Sequence, residues 1–191
     1  MSDKIKQKAQ AVLFGLTVPQ EVQESNSAMF KVEFGVVHHN CPTNQMSRAF
    51  PEVRFTSPGG FLVKPNVVEE VLVVNGATDE IVEAVLLFLS STRGYDEYEL
   101  LERTADRAFI RWRASCTPDK FCSQMVEKNR CFQIGMEVQH EGLEQWQVGC
   151  HTRAQAEQLL KDLEQLGDVR YGRIVDCSWE ELVDASDGCR G

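Results

Sequence analysis

Hydrophobic periodicity predicts an α+β protein built from two ferredoxin-like or ACT-like α/β-sandwich units in tandem, with mainly antiparallel sheets and helices on one face. Three observations carry this expectation. Phe132, Ile134, Met136 and Val138 alternate with polar or small residues, and the alternation resumes at Trp146, Val148 and Cys150 after the turn His140-Glu141-Gly142, as in a hairpin. Thr152 and Gln155 form a capping box ahead of Ala156, Leu159, Leu160, Leu163 and Leu166, which recur at helical spacing and stop at Gly167. Residues 169–175 then read as a returning strand, completing a ββαβ unit.

The remaining elements follow in chain order. Residues 1–16 read as a short helix and 17–28 as a polar linker containing Pro19. Phe30, Val32, Phe34 and Val36 mark a strand that ends at His38-His39-Asn40-Cys41. Pro42 suits the first position of a short helix through Met46 that stops before Pro51. Ser57-Pro58-Gly59-Gly60 is a turn flanked by two short strands, and residues 67–74 form another strand. Thr78 caps a helix over 79–91, with Asp79 and Glu80 placed for the helix dipole. Strands are expected over 98–101 and 108–114, and a short helix over 118–126. The expected organisation is an N-terminal helix and linker (1–28), a first α+β unit (29–115), a second ββαβ unit (116–177) and an acidic tail (178–191).

Composition narrows the function. Among 191 residues the formal charge is −9, which disfavours direct nucleic-acid binding because that requires a basic surface to release counterions. No run approaches the roughly 20 apolar residues that span a bilayer. Lys4, Lys6 and Lys8 before residues 9–16 imitate a signal peptide, but Gln10 and Gly15 interrupt the apolar run. A cytoplasmic protein is expected. Seven cysteines, an odd number without Cys-x-x-Cys spacing, point to reduced thiols rather than a disulfide framework or a zinc knuckle.

The chemistry-bearing candidates are few. His38, His39 and Cys41 cluster at a strand end and offer imidazole and thiolate donors, with His38 and Cys41 the alternative metal pair; adjacent strand residues point to opposite faces, which separates the two histidines. Cys150-His151 precedes the capped helix, where a helix N-terminus favours thiolate, so Cys150 is a ligand- or redox-sensing candidate alongside His151. The competing reading makes each cysteine a small buried hydrophobe. Glu69-Glu70 and Glu180-Glu181 read as solvated faces, and Trp112 between Arg111 and Arg113 as part of an exposed strand. The chain holds no Gly-x-Gly-x-x-Gly, P-loop or His-Glu-x-x-His, so no catalytic residue is assigned and the sequence names no cofactor.

Phe30-Lys-Val-Glu-Phe-Gly-Val-Val, then Cys41-Pro42, Met46-Ser47-Arg48 and Phe50-Pro51, resemble the opening of the α+β domain that precedes the helix-turn-helix in bacterio-opsin-activator-type archaeal transcription regulators. The helix at 79–89 and the strand–helix–strand at 146–175 resemble its later elements, so the likeness covers residues 30–175. In those regulators a helix-turn-helix follows, whereas here Trp179-Glu-Glu-Leu-Val-Asp is too short and acidic to read DNA. The resemblance implies a non-enzymatic sensory or regulatory module that binds a ligand or partner and works with a DNA-binding regulator or sensor protein, and free sheet edges of ACT-like units favour a homodimer formed by side-by-side sheet pairing. A small cysteine- or metal-dependent enzyme and an assembly subunit with incidental cysteines are the alternatives.

Overall fold

Strand alternation and helix caps set the local elements, and the computed structural model describes them over residues 29–39, 41–64, 67–115 and 121–187. In order they are β1 (Met29–His38), α1 (Pro42–Ala49), β2 (Arg54–Ser57), β3 (Gly60–Lys64), β4 (Val67–Asn75), α2 (Asp79–Ser91), β5 (Glu97–Arg103) and β6 (Arg107–Ser115). Then come α3 (Cys122–Lys128), β7 (Phe132–Gln133), β8 (Glu137–His140), β9 (Leu143–Cys150), α4 (Arg153–Leu163), β10 (Gly167–Cys177) and α5 (Trp179–Asp187). The helix and linker expected before residue 29 lie outside the described residues.

The expectation of two tandem sandwich units is overturned. The ten described strands form one antiparallel sheet in the order β10-β1-β9-β8-β2-β4-β6-β5, with β3 on β4 and β7 on β9. Two pairings join what the sequence separates. β2 pairs with β8, Thr56 facing Val138, and β1 inserts between β9 and β10, Val32 facing both Val148 and Ile174. Alternation reveals which face of a strand is buried but carries no label for its neighbour.

The sheet halves share a plan. β4, α2, β5 and β6 give the local order β4-β6-β5; β9, α4 and β10 give β9-β1-β10, with the inserted strand supplied by β1 from the start of the described chain. Each half has its own apolar cluster. One gathers Phe34, Val148, Leu159 and Leu163, and the other Phe55, Leu72, Val85 and Trp112.

Caps and turns behave as their residues require. Thr78 accepts from the Ile81 amide, and the Thr152 hydroxyl accepts from the Gln155 amide while the Gln155 carboxamide accepts from the Thr152 amide. Glu141 and Gly142 both take positive φ, 50° and 77°, the geometry of a tight two-residue hairpin between β8 and β9. The predicted strand over 132–138 is broken at Gly135, which also has positive φ. Gly167 begins β10 rather than closing α4. A Cβ there would lie 2.1 Å from the Val37 carbonyl oxygen, so close backbone approach demands the glycine. The acidic tail contains α5, started by reciprocal Ser178–Glu181 hydrogen bonds. Trp112 is buried against Tyr95 while Arg111 and Arg113 pair with Glu99, Glu69 and Glu97, correcting the exposed-strand reading.

Candidate functional site

Strand parity carries four ionisable side chains inward where apolar residues are the norm. His38 follows Val32, Phe34 and Val36 on the buried face of β1, and Glu144 precedes Trp146 and Val148 on that of β9. Glu70 falls between Val68 and Leu72 on β4, and Glu137 opens β8. Two helix starts add thiols. Cys122 is the first residue of α3, and Cys41 stands directly before Pro42 of α1 with its sulfur 2.9 Å from the Thr43 hydroxyl.

The cluster is centred on an ion pair. His38 Nδ1 donates to Glu144 Oε2 at 3.0 Å, with side-chain exposures of only 3% and 4%. Trp146 Nε1 donates to the other carboxylate oxygen, Oε1, at 2.8 Å. Burial alone would lower the His38 pKa, but the bonds to Cys41 and Glu144 more than reverse this and raise it to about 10. Burial likewise opposes the ionised form of Glu144, yet His38, Cys122 and Trp146 hold its carboxyl below the usual range. Glu144 is therefore the carboxylate and His38 the imidazolium.

Its acidic neighbours take the opposite state. Burial, reinforced by Glu70 and Glu144, pushes Glu137 well up, while Gln139 donates to its Oε1 at 2.8 Å. Burial raises Glu70 to about 7 against the bond from Ser57, with Glu144 adding to the rise. Cys122 is pushed well up by burial and then by Glu144, so its thiol keeps its proton. The Tyr95 hydroxyl, whose pKa is raised by burial and then by Cys41 and Glu70, is buried without a hydrogen-bond partner among the described residues, as is Trp112 Nε1.

Two neighbouring spaces open here. A cavity of about 20 Å³ is lined by Cys41, Glu70, Cys122, Glu137, Glu144 and Trp146, room for one water molecule or one metal ion. It shares Gly60, Val68, Ser123 and Trp146 with an outer cleft of about 450 Å³, walled by Phe61, Leu62, Val126, Arg130 and Phe132. The cleft lies in the size range of small-molecule sites.

The sequence candidates divide accordingly. His38 and Cys41 meet in this interior, whereas His39 is exposed beside Asp168. Among the described residues one set of three mutually close metal-type donors occurs, His38, Cys122 and Glu144, all within 4.8 Å of one another. Cys41 is outside that set. Cys150 lies elsewhere, fully buried with its sulfur 2.8 Å from that of Cys131, and His151 is exposed near Phe132 and Trp179. The thiolate expected at Cys150 is not favoured there: Cys131, then burial, pushes its pKa up, and the Cys131 pKa is lowered by the same bond. Glu70, read as solvated, is a correction of the same kind.

Cys122, Glu137 and Glu144 escaped the sequence reading although a signal existed. Glu144 keeps the parity of Trp146 and Val148, and Glu70 that of Val68 and Leu72, so each is a carboxylate at an inward position.

Fold and site together define an α+β single-sheet domain with a buried, polar ligand-type centre beneath an apolar cleft. The chain belongs to the haloarchaeal family described as HVO_2525, N-terminal, whose model matches residues 31–169. No curated protein and no solved structure matches the chain. No described helix is long and apolar enough to cross a membrane.

Proposed function

We propose that the chain is a non-enzymatic sensory module of an archaeal regulatory protein, akin in role to the domain that precedes the helix-turn-helix in bacterio-opsin-activator-type regulators, and that it binds a small ligand in the cleft above the His38–Glu144 pair. One observation carries the reading: an apolar cleft of about 450 Å³ adjoins a buried cluster of imidazole, carboxyl and thiol groups, an arrangement suited to an amphipathic small molecule. A cysteine-dependent enzyme is less well supported. The Cys122 thiol, beside His38 and Glu144, is held protonated by its surroundings, the opposite of an activated nucleophile. The net charge of −9 favours a partner rather than DNA itself as the target of the signal.

The test uses an anilinonaphthalene sulfonate dye as an apolar, anionic probe whose charge Arg130 at the rim would meet. The native chain is expected to bind one dye molecule and to unfold at higher temperature in its presence. Val126→Trp should fill the cleft and abolish binding with the circular dichroism spectrum unchanged. Dye binding that survives this substitution, or its absence from the native chain, overturns the reading. Association of two copies through the exposed edge strand β5, which presents Tyr98, Leu100 and Leu101, belongs to the same proposal and is checked by sedimentation equilibrium.

A further inference from the structure

We propose that His38, Cys122 and Glu144 form a binding site for a single borderline transition-metal cation of the Zn²⁺ type. The inference goes beyond the cleft reading to the buried centre beside the inner cavity. The three donors come from remote parts of the chain, the end of β1, the start of α3 and the start of β9, and each is buried. Their donor atoms all lie within 4.8 Å, and His38 Nδ1 is already 3.0 Å from Glu144 Oε2. Metal–ligand lengths near 2.0–2.3 Å place tetrahedral donors about 3.3–3.7 Å apart, so a modest inward turn of the Cys122 side chain closes the set. The cavity beside them, about 20 Å³, admits one ion.

The donor set selects the cation. One imidazole nitrogen, one thiolate sulfur and one carboxylate oxygen are too soft together for Mg²⁺ or Ca²⁺ and suit Zn²⁺ or its spectroscopic substitute Co²⁺. Three protein ligands leave a fourth tetrahedral position for a water or ligand, as in exchangeable zinc sites, and Glu70 and Glu137 line the adjoining cavity. The outer shell is in place. Trp146 Nε1 fixes the Glu144 carboxylate, and Cys41 hydrogen-bonds to the His38 ring. Binding is coordination without electron transfer: the cation replaces the Cys122 thiol proton and the proton between His38 and Glu144, and both pass to solvent.

Co²⁺ titration of the reduced full chain tests this. One equivalent should develop a thiolate-to-cobalt charge-transfer band in the near-ultraviolet together with tetrahedral ligand-field bands, and Zn²⁺ should abolish both. Cys122→Ser should remove the charge-transfer band, whereas Cys131→Ser should leave it intact. Trp146→Phe should weaken Zn²⁺ binding about 10–100-fold while preserving the spectrum. Absence of the band from the wild-type chain overturns the proposal, as does a band that persists in Cys122→Ser. If Cys122→Ser fails to fold, X-ray absorption of the Zn²⁺-loaded wild type decides instead: one sulfur in the shell supports the site, and none overturns it. Dye binding in the outer cleft is scored separately, so loss of the metal site leaves the cleft reading standing.

Discussion

His38 Nδ1 and Glu144 Oε2 lie 3.0 Å apart across a sequence separation of 106 residues, an ion pair sealed between β1 and β9. Burying both charges is costly, and the pair persists because Trp146 and Cys41 supply further hydrogen bonds to its two members. Removing one partner is worse than removing both, since it strands a buried charge. Glu144→Gln is accordingly expected to destabilise the metal-free chain by about 3–5 kcal/mol, more than the double substitution His38→Leu with Glu144→Leu. Urea denaturation of the three proteins measures the order.

The same centre sets a pH dependence. His38 titrates near 10 instead of 6.5 and Glu70 near 7 instead of 4.5, so the folded metal-free chain binds both protons more tightly than the unfolded one. The Glu70 contribution is complete below pH 4.5 and is lost as pH rises through 7; that of His38 is complete below 6.5 and is lost as pH rises through 10. Glu144, with a lowered pKa, works in the other direction and withdraws its stabilisation in acid. Stability should therefore decline from about pH 5 toward alkaline pH, Glu70 accounting for up to about 3 kcal/mol. Glu70→Gln should flatten the acidic half of that profile. A stability that climbs between about pH 5 and 8 would contradict the assignment.

Cys131 and Cys150 face each other with sulfurs 2.8 Å apart, both buried, Cys131 also lining the outer cleft. Diamide should oxidise them to a disulfide, the two thiols losing two protons and two electrons to the reagent, before Cys41 or Cys122 is modified. Non-reducing peptide mass spectrometry identifies the linkage. With limiting alkylating agent Cys131 should label ahead of Cys150, because the hydrogen bond between them favours thiolate on Cys131.

Leu159 and Leu160 are neighbours with unequal roles. Leu159 is fully buried beneath α4, whereas Leu160 is half-buried and covers Gly172 of β10. Leu159→Ala should cost about 2–5 kcal/mol and Leu160→Ala distinctly less. Equal shifts in the urea midpoint would mean that α4 is rotated relative to the sheet.

Gly149 supports an aromatic stack. A Cβ there would lie 2.4 Å from the Phe132 ring, which stacks on Trp179 with centroids 6.0 Å apart. Gly149→Ala should displace Phe132, lower stability by about 1–3 kcal/mol and alter the Trp179 fluorescence.

The sequence by itself determined most of the local elements. The capping residues Thr78 and Thr152 placed α2 and α4, alternation placed β1, a continuous apolar run placed β4, and Glu141-Gly142 placed the β8–β9 turn, because each depends on neighbours within a few residues. Of the site, His38 and Cys41 were legible as an unusual donor pair, and the inward parity of Glu70 and Glu144 was present though unread. Tertiary structure alone decided that β1 crosses to the far half, that β2 meets β8, and that Cys122 and Glu144 join His38. Backbone hydrogen bonding is chemically the same for every strand, so partner choice is settled only when the whole sheet and both apolar clusters pack at once.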